Sequence, residues 1–263
     1  MPLPAIDRDD LVARYVDGRT LSLLLLGSHA RGDAGPLSDI DLNRHVAAPN
    51  DHGRLECHVD AAGRLVTVKT MQPARLAVAM GVPGKAVWQV PGLRNAVVLH
   101  DPGGSAARLI NQAQNFAWAG IAQEADRHVA SETAQHAEEA LKIASGIAAE
   151  REAQVLYGVM GMVLGLAEAM VVHRRGFIDS ENRLLSIALG LMAGEWDWQA
   201  AFRVAAGHEA VPPMERGRAA LALYGETARI VAPLMDDESR RVANVGLAAA
   251  SQVLNRSFGL PIS

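Results

Sequence analysis

The feature that most constrains this chain is a change of texture near residue 103. Before it, short apolar runs are interrupted by Gly, Pro, Asp and Asn, the residues that set turns between strands. After it, apolar residues recur at helical spacing in one stretch after another. At 263 residues the chain is long for one compact domain, so this change predicts two. The expectation is an α+β protein, with an N-terminal strand-bearing domain over residues 1–110 followed by an all-helical bundle over 111–263.

Within the first part, Leu11, Val12, Tyr15 and Val16 suggest a short amphipathic helix closed by Gly18. Leu21 to Leu26 is an apolar run of strand length that ends at Gly27. A second strand holds Ile40 and Leu42, and the period of two puts Asp39, Asp41 and Asn43 together on its other face. Leu55 to Val59 and Leu65 to Met71 flank Asp60-Ala61-Ala62-Gly63, which reads as a hairpin. Ala96 to Leu99 reads as a further strand. The later helices are expected at 105–118, 122–149, 153–174, 180–192, 196–206, 215–231 and 239–255.

Composition excludes several classes. Hydrophobic residues make up 49% and charged residues 21%, a balance that folds. A formal charge of −4 gives no global basic field, which argues against a general nucleic-acid binder. Cys57 is the only cysteine, so neither an intrachain disulfide nor a cysteine metal cage can form, and the cytosol fits best. The longest apolar stretch, Val155 to Val172, contains Tyr157, several glycines and Glu168; it reads as a buried helix, with no membrane role.

The informative stretch runs Leu23-Leu24-Leu25-Leu26-Gly27-Ser28-His29-Ala30-Arg31-Gly32, and then Ser38-Asp39-Ile40-Asp41-Leu42. A glycine just after a buried strand lets backbone amides approach a phosphate, and the Ser28 hydroxyl adds a donor. Carboxylates at i and i+2 on one strand face can share hard divalent ions such as Mg2+, which also bind triphosphate oxygens. Such ions activate an attacking hydroxyl and neutralise a departing pyrophosphate.

This segment resembles the signature of the polymerase-β-like nucleotidyltransferase superfamily: Gly-Ser, ten intervening residues, then Asp-x-Asp on the next strand. The resemblance implies a mixed sheet with flanking helices in the N-terminal domain. It also implies a nucleoside triphosphate, ATP foremost, as co-substrate, with Mg2+ on Asp39 and Asp41. Gly27, Ser28 and Arg31 would bind the nucleotide, and His29 and Asp33 would hold the turn.

Many members of that superfamily carry a third carboxylate on a later strand; here Leu65-Val66-Thr67-Val68-Lys69 places Thr67 there. Glu56 and Asp60 are substitutes in the preceding segment. A stronger candidate is Glu138 in His136-Ala137-Glu138-Glu139-Ala140-Leu141-Lys142, one turn from Lys142 on a helix face. This resembles the kanamycin-type aminoglycoside nucleotidyltransferases, in which a glutamate on the helical domain acts as base and a lysine one turn on contacts phosphate. The implied acceptor is a small hydroxyl-bearing molecule such as an aminoglycoside-like antibiotic, and the implied assembly is a homodimer. A cationic acceptor would call for an acidic cleft, for which Glu132, Glu138 and Glu139 are at hand.

Two other readings stand beside this one. Loss of the third acid is compatible with a nucleotide-binding regulatory module without catalysis. Arg203 and His208 are five apart and resemble the Arg-x4-His element of HEPN ribonucleases, with transfer to protein or RNA as a related alternative; Gly207 between them points instead to a helix end. Trp88, Trp118, Trp196 and Trp198 are expected in a core or interface, or lining an acceptor pocket.

Overall fold

The computed structural model describes residues 6–47 and 53–261. The fold is α+β, in two compact units, Met1–Gly120 and Ile121–Ser263. The first unit runs α1 (Arg8–Tyr15), β1 (Thr20–Leu25), α2 (Gly27–Arg31), β2 (Ile40–Val46), β3 (Leu55–Val59), β4 (Leu65–Met71), α3 (Pro73–Ala79), α4 (Pro83–Arg94), β5 (Val97–His100) and α5 (Ser105–Gln114). Its strands lie in the order β3-β4-β2-β1-β5. The β2–β4 pair is parallel and the other three pairs are antiparallel, so the sheet is mixed.

Strand alternation sorts the side chains onto two faces. Leu23, Leu25, Ile40, Leu42, Val66 and Val68 form one core with Leu11 and Tyr15 of α1. That helix starts at Asp7, whose carboxylate accepts from the Asp10 amide at 3.0 Å, a cap contributing about 1 kcal/mol. The opposite face carries Ser22, Leu24, Asp41, Asn43, His45, Thr67 and Lys69. There His45 Nδ1 lies 2.8 Å from Ser22 Oγ, which lies 3.1 Å from Ser105 Oγ at the start of α5, tying that helix to β1. Burial pushes the His45 imidazole down to about 4, against the pull of the Asp101 charge, so it is neutral at pH 7.

Helices α3 and α4 occupy a region that sequence periodicity leaves without helices. Each begins with proline at its first position, where the missing N–H costs nothing and the fixed φ is already helical. The Pro83-Gly84 and Pro91-Gly92 pairs look like breakers, yet α4 continues through Pro91 to Arg94. Arg94 then donates to the Ala113 carbonyl at 2.9 Å and the Phe116 carbonyl at 3.0 Å. These bonds hold the end of α5 to α4.

The second unit contains α6 (Ala122–Gln135), α7 (Ala137–Ala148), α8 (Glu152–His173), α9 (Leu184–Leu191), α10 (Trp196–Ala205), α11 (Pro213–Val231) and α12 (Asp237–Leu254). The single helix expected over 122–149 breaks at His136, whose Nδ1 lies 2.7 Å from the Glu132 carbonyl. Its ring sits over Gly165 of α8, where a β-carbon would overlap Nε2. Helix α8 is long and apolar enough to cross a membrane, but 61% of its most apolar window is buried. Gly158 of α8 and Gly217 of α11 let those helices press against Ile143 and Val155 without room for a β-carbon. Trp198 stacks on Phe202 at 4.7 Å and donates to Thr227 Oγ1 at 2.9 Å, whereas Trp196 is 77% exposed and takes no part in the core.

Candidate active site

The site grows from the end of β1. The Leu26 amide donates to the Asp41 carbonyl at 2.9 Å, which keeps the chain beside β2 for one more residue before it turns into α2. Gly27 makes that turn at φ +63°. A β-carbon there would overlap Asp41 Oδ2 and stand 3.1 Å from Asp41 Cγ. Glycine is therefore required by the backbone conformation and by the adjacent carboxylate together. The first amides of α2, at Gly27, Ser28 and His29, precede any intrahelical acceptor.

Asp41 pairs across the sheet with Thr67 in the parallel β2–β4 ladder. The Thr67 hydroxyl donates to Asp41 Oδ1 at 2.9 Å. Burial raises the Asp41 carboxyl above its ordinary value, with the Thr67 bond opposing; the Asp39 charge adds to the rise, and Arg31 and His29 oppose it. Asp39, Arg31 and His29 thus all act on the Asp41 charge. Asp39 stands one residue ahead of β2 and not on the strand as expected, because pairing begins at Ile40. Arg31 forms a two-point contact with Asp33, at 3.2 Å through Nε and 3.2 Å through its terminal nitrogen. His29 Nε2 is buried without a hydrogen-bond partner among the described residues.

Gly27, Ser28, Arg31, Asp39 and Asp41 are thus brought together in the first unit. Glu56 is not: it pairs with Val68, so it lies on the sheet face opposite Asp41, ion-paired to Arg54 at 3.0 Å and Arg44 at 3.7 Å. Asp60 is spent on its turn, accepting from the Ala62 amide at 2.9 Å, the Arg64 amide at 2.8 Å and Arg64 Nε at 2.7 Å. Both carboxylates are thus engaged away from Asp41. The cross-strand neighbour of Thr67 on the Asp41 face is instead Cys57, which is exposed.

Glu138 and Lys142 lie on α7 in the second unit and meet each other at 2.8 Å. Lys142 also contacts Glu139 at 3.2 Å and lies 5.8 Å from the centre of the Tyr157 ring. The Lys142 hydrogen bond and charge hold the Glu138 carboxyl below its ordinary value. Glu138 is the outward member of the pair, its side chain 71% exposed against 21% for Glu139.

Arg203 and His208 flank the end of a helix. The Gly207 amide donates to the Val204 carbonyl at 3.1 Å and the His208 amide to the Arg203 carbonyl at 2.9 Å, with Gly207 at φ +83°. This is a Schellman helix stop, and it puts His208 beyond the end of α10. The five-residue spacing comes from that pair of backbone bonds.

Sequence reasoning missed a cleft of about 910 Å³ that continues the Asp41 row. Leu26, Asn43 and Lys69 line it on the sheet side and residues of α3 and α4 on the other, Arg75, Lys85 and Trp88 among them. Asn43 and Lys69 are one alternation further along β2 and β4 than Asp41 and Thr67, about 7 Å. The period of two in Thr67-Val68-Lys69 was the available signal; the α3–α4 wall had none.

No protein-family model matches the chain, and no curated protein matches it. Among solved structures it is similar to a nucleotidyltransferase-like protein from Exiguobacterium sibiricum, at 9% identity and a TM-score of 0.48, over 94% of this chain and 76% of that one.

Proposed function

We propose that this chain is a magnesium-dependent nucleotidyltransferase that moves a nucleoside monophosphate from a nucleoside triphosphate, ATP foremost, to a hydroxyl of a small acceptor. The observation that carries the reading is the contact of Asp41 with Gly27, with Asp39 acting on Asp41 from the adjoining loop. A half-buried carboxylate raised by burial and by a second carboxylate is a place where a cation is favoured.

The donor set fits Mg2+, which takes hard oxygen ligands and is held by one or two carboxylates completed by substrate phosphates and water. Among the described residues no cluster of three or more His, Cys, Asp or Glu side chains stands ready to hold a metal alone, so Asp39 and Asp41 would depend on the triphosphate for completion. When bound, the ion supplies polarisation of the α-phosphate and neutralises charge on the leaving pyrophosphate. Gly27 lets the α2 amides approach the phosphates, Ser28 adds a hydroxyl donor, and Arg31 adds a fork of donors. The kanamycin-type resemblance would make Glu138 the base for the acceptor hydroxyl, with Lys142 holding it ionised and available to phosphate. The new bond joins acceptor oxygen to the α-phosphorus, and the bond to the bridging oxygen of pyrophosphate breaks.

The test is transfer of label from α-labelled ATP, GTP, CTP and UTP in Mg2+ to small hydroxyl acceptors, protein and RNA, with the Asp39→Ala/Asp41→Ala double variant as control. Label on one small acceptor that disappears in the double variant supports the transferase. Label that persists in the double variant sinks it.

One observation favours a second reading. Thr67 stands where a third carboxylate would, and its hydroxyl uses one of the Asp41 oxygens. A regulatory nucleotide-binding module would bind nucleotide in a Mg2+-dependent way and release no pyrophosphate with any acceptor.

A further inference from the structure

The cleft beyond Asp41 has a charge pattern that the transferase reading leaves unused. Three cations line it: Lys69 on β4, Arg75 on α3 and Lys85 on α4. Among the described residues no aspartate or glutamate lines it. All three cations are exposed, and among the described residues none has a side-chain hydrogen bond or an ion pair. Three unpaired like charges facing one cavity repel one another, a cost that an anionic occupant removes. The Trp88 ring and the aliphatic side chains of Leu76 and Leu93 give the same cavity an apolar wall.

We propose that this cleft binds an anionic ligand carrying an apolar or aromatic portion, and that this ligand is the acceptor; the second clause rests on the nucleotidyl transfer reading. A nucleotide brings no charge besides its phosphates, and on the nucleotidyl transfer reading those would be met at Gly27, Ser28, Arg31 and the carboxylate-held ion. The cations of the cleft therefore answer a second molecule. A polycationic aminoglycoside is the wrong partner, since it would add positive charge to a wall of three positive charges. The position is right for an acceptor, because Asn43 and Lys69, which line the cleft, lie about 7 Å along the strands from Asp41 and Thr67.

The test uses the full chain with 4-nitrophenyl phosphate as anionic aromatic probe, 4-nitrophenyl glucoside as its uncharged counterpart, and kanamycin as polycation, each followed by calorimetry. The phosphate probe should bind, weaken about tenfold or more in Lys69→Gln/Lys85→Gln, and weaken again in 0.5 M salt, while the other two bind far more weakly. Binding should persist in Asp39→Ala/Asp41→Ala and should be additive with ATP in the wild-type protein. Kanamycin binding more tightly than the phosphate probe would overturn the proposal, as would probe binding unchanged by the lysine substitutions or undetectable at 10 mM. Competition between probe and ATP would assign the cleft to the nucleotide and overturn the acceptor clause. Probe binding without pyrophosphate release on any acceptor would count against the transferase reading alone, leaving the anionic site standing. Melting curves of the lysine variants exclude misfolding as the cause of lost binding.

Discussion

Asp41 stands where a β-carbon of Gly27 would lie, so the turn after β1 and the carboxylate on β2 are one structural unit. Substituting Gly27→Ala forces that carboxylate aside and strains a φ of +63°. The expected cost is about 2–4 kcal/mol, from the left-handed backbone and the overlap together. Gly32→Ala is the internal control: its φ is +80° with nothing within 4 Å of the added carbon, so only the backbone cost of about 1 kcal/mol remains. Urea denaturation midpoints of the two variants compare the costs directly, and equal midpoints would disprove the overlap.

The raised Asp41 carboxyl sets a sign. Because the folded protein holds the proton more tightly than the unfolded chain, the Asp41 contribution to stability is present in acid and is lost as pH rises through its folded pKa. Asp41→Asn should therefore stabilise the metal-free protein at pH 7, by about 0.5–2 kcal/mol, the range usual for relieving a functional site. Thermal melts with EDTA at pH 7 and at pH 3 check this: the gain should be present at the first and vanish at the second.

His45 acts in the opposite direction. Its folded pKa of about 4 lies below the 6.5 of an unperturbed imidazole, so the unfolded chain takes up the proton first. Stability is full above about pH 6.5 and is lost as pH falls toward 4, up to about 3 kcal/mol. His45→Gln should flatten this part of the pH–stability curve while lowering stability at pH 7 through the altered contact with Ser22. An unchanged slope between pH 6.5 and 4 would show that another group carries it.

Glu138→Gln should lower kcat about 10²–10⁴-fold at pH 7 with an unaltered melting temperature, the loss expected for a general base. Unaltered stability follows because the Lys142 contact is exposed. Glu139→Gln, which leaves the outward carboxylate in place, is the comparison. A kcat that falls only in Glu139→Gln would move the base by one residue.

For Arg203 and His208 the expectation is silence. Arg203→Ala and His208→Ala should leave stability within about 0.5 kcal/mol, while Gly207→Ala costs about 1 kcal/mol for its left-handed backbone. Ribonuclease activity on a labelled RNA should be absent from the wild-type protein and from each variant; cleavage abolished by His208→Ala would reinstate the catalytic reading.

Local periodicity was enough for the strands around Gly27 and Asp41, for the hairpin that follows, and for most of the helices. A period of two and a period of 3.6 are properties of consecutive residues, so they can be read without knowing what the chain touches. Thr67 was singled out by the superfamily resemblance, and its place beside Asp41 came only with the strand pairing. Periodicity failed at α3 and α4, where Pro83-Gly84 and Pro91-Gly92 carry breaker chemistry but proline at a helix start is favourable. It failed also at His136, where a ring packed on Gly165 of another helix ends a run that looks continuous along the chain.

What the sequence by itself determined is the Gly27-Ser28 turn, the Asp39 and Asp41 pair, and a strand-bearing half followed by a helical half, because each depends on neighbours in the chain. Only the tertiary structure decided that Asp41 excludes a β-carbon at Gly27 and that Thr67 spends its hydroxyl on Asp41. It likewise decided that Glu56 faces away and that Lys69, Arg75 and Lys85 share one cleft. These facts depend on which strands pair, in what register, and on which helices cover them. Such contacts join residues far apart in the chain, and no local spacing encodes them.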